Sequence, residues 1–239
     1  KIVPVVSTIE NNFSLPSIED FEKLITKKTK AILICNPNNP TGYLYSKKEI
    51  EKLVEIVKKH DLFLISDEVY REFTYDGGSH YSIMEDSSIA QNAIMIDSVS
   101  KRYSMCGARV GCVVSKNESV IKTVLKFAQS RLSPPTYAQI ASEAALETPQ
   151  SYFQEINAKY VSRRNLLIHE LKKIDGLKVA TPKGAFYCIV ELPIEDASDL
   201  AKWMLEKFNL KNETIMVANA EGFYSTEGLG KNQIRIADV

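Results

Sequence analysis

Four short runs, at residues 30–35, 62–65, 93–96 and 110–114, are apolar almost throughout and lack the alternation of a strand with one wet face. Strands of this kind belong to sheets covered on both sides, and here they alternate with amphipathic helices. Ser17 stands three residues before Asp20, and Phe21, Leu24 and Ile25 follow at helical spacing, which predicts a capped helix from about Ile18. Ser46 and Glu49 form a capping box ahead of Ile50, Leu53, Val54 and Val57, so a second helix is expected over 47–59. Asn117 caps a third, which carries Val120, Ile121, Val124, Leu125 and Ala128 and stops at Ser133-Pro134-Pro135. The fold class these patterns predict is α/β, a mostly parallel sheet covered by helices.

Residues 137–173 are helical in pattern with a break near Pro149, and the second piece is long enough to bridge two domains. The rhythm then changes. Residues 177–180, 185–191, 215–217 and 233–237 read as strands, with one helix around Leu200, Trp203, Met204 and Phe208. The expected organisation is a partial large domain over 1–148, an interdomain helix over 149–173 and a smaller C-terminal α+β domain over 174–239. The first residues read as an edge strand, and both termini read as cut.

Charge and composition narrow the function classes. The 30 basic and 30 acidic residues cancel without a long run of either sign, so there is no electrostatic footprint for nucleic acid or an anionic membrane. No apolar stretch approaches the ~18 to 20 residues of a membrane helix, and Lys1-Ile2-Val3-Pro4 has no signal-peptide layout, which leads to the expectation of a cytoplasmic protein with a small-molecule partner. Cys35, Cys106, Cys112 and Cys188 lack CxxC spacing and companion histidines, so they are expected to be free thiols and no metal is expected. His60, His80 and His169 are isolated in sequence and expected at the surface.

Three of the predicted parallel strands end in polar residues that packing does not require. They run into Asn36-Pro37-Asn38-Asn39-Pro40-Thr41-Gly42, into Ser66-Asp67-Glu68-Val69-Tyr70, and into Asp97-Ser98-Val99-Ser100-Lys101. Ligands of open α/β sheets bind outside the carboxyl ends of the strands, so the three segments are expected to converge on one pocket. Taken singly, each has an ordinary explanation: a turn at 36–42, a loop or capping aspartate at Asp67, a core tyrosine at Tyr70, a solvated Lys101, an Arg109 paired with any carboxylate. Their joint occurrence is what argues for a site.

Asn39-Pro40-Thr41-Gly42, Asp67-x-x-Tyr70 and Ser98-x-x-Lys101 followed by Arg109 and Gly111 resemble, in order, three hallmark segments of the class I/II aminotransferases, the fold-type I pyridoxal phosphate enzymes. Pro182-x-Gly184-Ala185-Phe186-Tyr187 and Ile234-Arg235-Ile236 are similar to that family's two small-domain hallmarks. The resemblance covers nearly the whole chain. It implies pyridoxal 5'-phosphate as cofactor, an amino acid and a 2-oxo acid as substrates, and a homodimer with shared active sites, in which the segment from Arg131 to Tyr137 either reaches the neighbouring subunit's site or is a plain helix–helix connection.

Roles follow from the resemblance and from the chemistry it brings. Lys101 would offer a neutral amine to the cofactor aldehyde and then move the substrate's alpha proton. Asp67 would face the ring nitrogen and keep it protonated. Tyr70 and Asn39 would hydrogen-bond the 3'-oxygen, and Ser98 and Arg109 would take the phosphate. Arg235 would clamp the substrate carboxylate, and Asn39 would also contact substrate. In the family a further part of the phosphate grip lies on a Gly/Ser-rich helix start upstream of the Asn-Pro-Thr-Gly segment, which implies that this sequence opens inside the large domain.

Departures are local. Asn219 replaces a common proline and Asp238 a common apolar residue, which predicts a less regular final turn and strand. The Gly222-Phe223-Tyr224-Ser225-Thr226 loop is most similar to bacterial-type aspartate aminotransferases, so aspartate with 2-oxoglutarate is the first expectation. The alternatives are a carbon–sulfur lyase or an aminocyclopropane-carboxylate synthase on the same constellation, and an aminotransferase-like domain that only binds its ligand.

Overall fold

A computed structural model describes residues 1–238. Its first sheet is built from β1 (Ala31–Cys35), β2 (Phe63–Asp67), β3 (Ala93–Ser98) and β4 (Gly111–Val114) in spatial order β1-β2-β3-β4. The first three are parallel, whereas β4 returns antiparallel to β3. Helices α1 (Ile18–Leu24) and α2 (Lys47–His60) begin as their caps predict, with Ser46 Oγ accepting from the Glu49 amide at 3.3 Å and Glu49 Oε2 from the Ser46 amide at 2.8 Å. Ile50, Leu53, Val54, Ile56 and Val57 of α2 are buried against Ile32, Ile34 and Leu64, each side chain worth roughly 1.5–3 kcal/mol in removal from water.

Only that face of the sheet is well covered. Leu33 is 67% exposed and Ile96 38%, which corrects the expectation of strands buried on both sides. An apolar run reports what a strand's side chains are, not what lies over them, and among the described residues α1 and α2 pack on one face alone. Residues 1–8 form no strand, contrary to expectation.

After β3 come the single turn α3 (Val99–Arg102), then, past β4, α4 (Glu118–Arg131), α5 (Thr136–Ala144) and α6 (Gln150–Leu171), with the expected break near Pro149. No helix among the described residues is long and apolar enough to cross a membrane. A second, antiparallel sheet combines β5 (Lys178–Val179), β6 (Tyr187–Glu191), β7 (Ala218–Asn219) and β8 (Gln233–Ala237) in order β5-β6-β8-β7, with α7 (Ala197–Glu206) beside it. The strand expected at 215–217 lies instead at β7, because only Ala218 and Asn219 find partners on β8. Strand β8 pairs with β6 over all five residues, so Asn219 and Asp238 do not disturb it as expected.

The two sheets are joined next to the strand ends. Gly42, at φ +71°, accepts the amides of Lys183 and Gly184 at 2.8 and 3.0 Å, and a Cβ there would lie 2.6 Å from the Tyr187 carbonyl oxygen. Arg164 of α6, 2% exposed, forks onto both carboxylate oxygens of Asp76 and reaches the Pro182 carbonyl. Tyr70, Phe73, Phe186 and Tyr187 pack edge to face between the sheets.

Candidate active site

Parallel register aligns the carboxyl ends of three strands: Cys35 lies opposite Asp67, and Asp67 opposite Ile96. The antiparallel pairing of Ser98 with Gly111 then returns Arg109 to the same end. A cavity of about 390 Å³ opens there, lined among others by Asn39, Asp67, Tyr70, Ser98, Lys101 and Arg109. Six of the seven residues singled out in the sequence therefore line one space, whose volume suits a small ligand.

Asp67 is half-buried, and the Val69 amide is its one hydrogen-bond donor among the described residues, at 3.2 Å to Oδ1. Burial pushes its pKa up, opposed by that bond and reinforced by nearby Asp97. A carboxylate whose folded-state pKa is raised contributes stability that is present below its ordinary pKa and lost as pH rises through the raised one. Asp67→Asn is therefore expected to stabilise the ligand-free full-length protein at about pH 7 and to be neutral near pH 3, below the usual carboxylate range. Denaturant midpoints at the two pH values measure this.

Lys101 Nζ stands 6.0 Å from the centroid of the Tyr70 ring. Arg109, in the left-handed region at φ 58°, gives Nη1 to the Cys106 carbonyl at 3.0 Å. Neither cation has a carboxylate within ion-pair distance among the described residues. Ser98 lines the cavity, and as placed its hydroxyl donates to the Val110 carbonyl at 2.8 Å and lies 2.7 Å from Ser100 Oγ. Ser100, which sequence reasoning did not single out, also lines the cavity.

Arg235 does not line the cavity but is wired to it. Its Nη1 donates to Asn39 Oδ1 at 3.1 Å, Asn39 Nδ2 donates to the Tyr70 hydroxyl at 3.3 Å, and that hydroxyl donates to Tyr187 Oη at 3.3 Å. Burial first, and then the Tyr187 hydroxyl, push the Tyr70 pKa far upward, so it stays a neutral phenol. The Arg235 guanidinium lies between the rings of Tyr187 and Phe223, 4.6 and 4.7 Å from their centroids, and no carboxylate among the described residues pairs with it. Phe223 and Tyr187 are site neighbours that sequence reasoning placed only in a loop and a hallmark. An aromatic residue flanking an arginine leaves no local signature.

The histidine expectation is corrected at His80, whose side chain is 8% exposed and lies 3.7 Å from buried Glu68. Burial, with Arg71 nearby, lowers its pKa to about 4, so it is neutral. The four cysteines are free.

A family model described as aminotransferase class I and II matches residues 1–237. Aromatic-amino-acid aminotransferase 2 of Thermococcus litoralis is 33% identical over 240 residues, covering 99% of this chain and 59% of that protein. Aspartate aminotransferase of Bacillus subtilis is 33% identical over 238 residues, 96% of this chain and 59% of that protein. The crystal structure of an aromatic aminotransferase from Pyrococcus horikoshii superposes with a TM-score of 0.84 at 30% identity, covering 97% of this chain and 61% of that one. The chain thus spans about 59% of the length of these two curated relatives.

Proposed function

Since the chain belongs to the class I and II aminotransferases, we propose that its cavity binds pyridoxal 5'-phosphate and that the full-length protein transfers an amino group between an L-amino acid and a 2-oxo acid. The observation that carries this reading is the meeting of Lys101, Arg109 and an uncompensated Asp67 in one cavity at the strand ends. The donor set fits the cofactor. A half-buried carboxylate without a cation suits a protonated ring nitrogen, an unpaired amine suits the aldehyde, and an unpaired guanidinium suits a phosphate.

When bound, pyridoxal phosphate supplies a conjugated ring that accepts the electron pair left behind by the departing alpha proton. Lys101 would hold the aldehyde, and its Nζ would be the group that takes the alpha proton and returns it. Asp67 holds the ring nitrogen protonated. Asn39 has a second Nδ2 hydrogen that would be given to the 3'-oxygen, and Tyr70 would donate there by turning its hydroxyl from Tyr187. Arg109 carries the phosphate, and Ser98 joins it by turning its hydroxyl away from Val110; Ser100 is the neighbouring donor.

Arg235 takes the substrate alpha-carboxylate. Two aromatic faces hold its guanidinium plane, and the Nη1 bond to Asn39 leaves further donors along its edge. Arg235→Ala is expected to lower kcat/KM by roughly ten- to a hundredfold, chiefly through KM, since charged hydrogen bonds contribute about 1.5–3 kcal/mol. Arg109→Ala is expected instead to weaken cofactor affinity with little change in KM at saturating cofactor. Equal cofactor loss in both variants contradicts the division. Homodimeric assembly belongs to the same reading, supported by the exposed Leu125, Phe127, Leu132, Tyr137 and Ile140 around α4 and α5, and sedimentation tests it.

Aspartate with 2-oxoglutarate is the proposed substrate pair, supported by the Bacillus subtilis relative; phenylalanine in place of aspartate probes the aromatic alternative raised by the Thermococcus litoralis one. The full-length protein is expected to form glutamate and a new 2-oxo acid in equal amounts. Steady product from an amino acid without an acceptor reveals a lyase, and no turnover with any donor overturns the enzymatic reading.

A further inference from the structure

The turn that carries Lys101 is held from outside. Helix α3 has four residues, too few to stabilise themselves by helical hydrogen bonds. Its two ends are closed by Asp97, which precedes the turn, and Arg102, which ends it. Asp97 Oδ1 accepts the Ser98 amide at 2.8 Å, and Asp97 Oδ2 accepts Arg102 Nη2 at 2.8 Å. The clamp therefore spans the whole turn, with Lys101 inside it.

Two more charges tie this clamp to the segment bearing Asp67 and Tyr70. Arg71 Nη2 lies 2.9 Å from Asp97 Oδ2, and Arg102 Nε lies 2.8 Å from Glu72 Oε1, an ion-pair contact without hydrogen-bond alignment. Arg71 Nε is 3.5 Å from the same Glu72 oxygen. Glu72 is itself fixed, since its carbonyl accepts Asn157 Nδ2 of α6 at 2.7 Å. Two cations and two anions thus alternate in one compact group. The Asp97 side chain is 9% exposed, where an unpaired carboxylate is costly and either guanidinium lost leaves it under-compensated. Arg71 follows Tyr70, Asp97 precedes Ser98 and Arg102 follows Lys101, so three of the four network members adjoin a cavity residue in sequence, and Glu72 lies two beyond Tyr70.

We propose that Arg102, acting through Asp97 and Glu72, is a positioning residue that fixes the Lys101 turn against the Asp67–Tyr70 segment and so sets how fast Lys101 reaches the cofactor aldehyde. This rests on Lys101 being the cofactor lysine. Misplacement of a reacting group by about 1 Å can cost on the order of a hundredfold in rate, whereas the phosphate contacts proposed for Arg109 lie outside the network.

The test uses full-length protein, pyridoxal phosphate, and timed borohydride quenching, with the pyridoxyl adduct on the Lys101 peptide quantified by mass and total cofactor occupancy and melting temperature measured in parallel. Arg102→Met is expected to keep cofactor occupancy while slowing adduct formation roughly ten- to a hundredfold, and Arg102→Lys, which keeps the charge, to restore a large part. Glu72→Gln, at a side chain one-third exposed, is the milder variant that does not threaten folding; it is expected to slow the adduct about threefold. Combined with Arg102→Met it is expected to add nothing further, because both act through one network. An unchanged adduct rate in Arg102→Met or Glu72→Gln overturns the inference. So does a loss that follows occupancy and melting temperature with no recovery in Arg102→Lys. If the unsubstituted protein forms no adduct at Lys101, the proposed function and this inference fall together; a normal adduct there with unaffected variants defeats only the latter.

Discussion

Lys101→Ala is expected to lower amino-group transfer by the full-length protein by at least roughly 10⁴-fold, the upper range for loss of a positioned proton-transfer group. The same nitrogen is assigned two tasks, anchoring the aldehyde and moving the alpha proton, and no other amine lines the cavity among the described residues. Tyr70, the neighbouring proton carrier, cannot replace it, because burial and the Tyr187 hydroxyl keep its phenol neutral. Cofactor binding is expected to persist in weakened form through Arg109 and Asp67. Equilibrium dialysis alongside the transfer assay separates the two effects, and transfer within tenfold of normal contradicts the assignment.

Asp67→Asn is expected to cost at least roughly 10²-fold in the proton-transfer step, the scale of a missing preorganised charge of a few kcal/mol. The amide keeps the size of the carboxylate and can still accept the Val69 amide, so packing survives while the charge facing the ring nitrogen goes. The substitution should therefore stabilise the ligand-free protein at neutral pH and impair the loaded one, a combination that a loop aspartate would not give. Partial recovery with a cofactor analogue methylated on the ring nitrogen, which carries a fixed positive charge, distinguishes lost charge from altered shape. Near-normal transamination with the natural cofactor would return Asp67 to an ordinary structural role.

Much of the cavity was legible because the residues that line it sit directly after strands with an unmistakable pattern. Once β1, β2 and β3 are parallel, register alone brings Asn39, Asp67 and Ser98 to one end of the sheet, and a one-turn helix brings Lys101 with them. Capping boxes were equally readable, since the bonds between Ser46 and Glu49 that close the helix start are local and need no distant partner. The covering of the sheet was not, as the exposed Leu33 shows. Nor was the orientation of the Ser98 hydroxyl, which is decided by a carbonyl twelve residues away at Val110. Arg235 was expected to clamp the substrate carboxylate, but its placement between Tyr187 and Phe223 depends on the pairing of β6 with β8 and on a loop that returns across them. The His80 side chain is covered where its loop packs beside Glu68, a tertiary event that leaves no periodic trace.

Lys101 is the residue proposed to bond the cofactor. Full-length protein saturated with pyridoxal phosphate, reduced with borohydride, digested and mapped by mass is expected to carry a single pyridoxyl adduct, on the peptide containing Lys101. An adduct on another lysine, or none at saturating cofactor, would contradict the account.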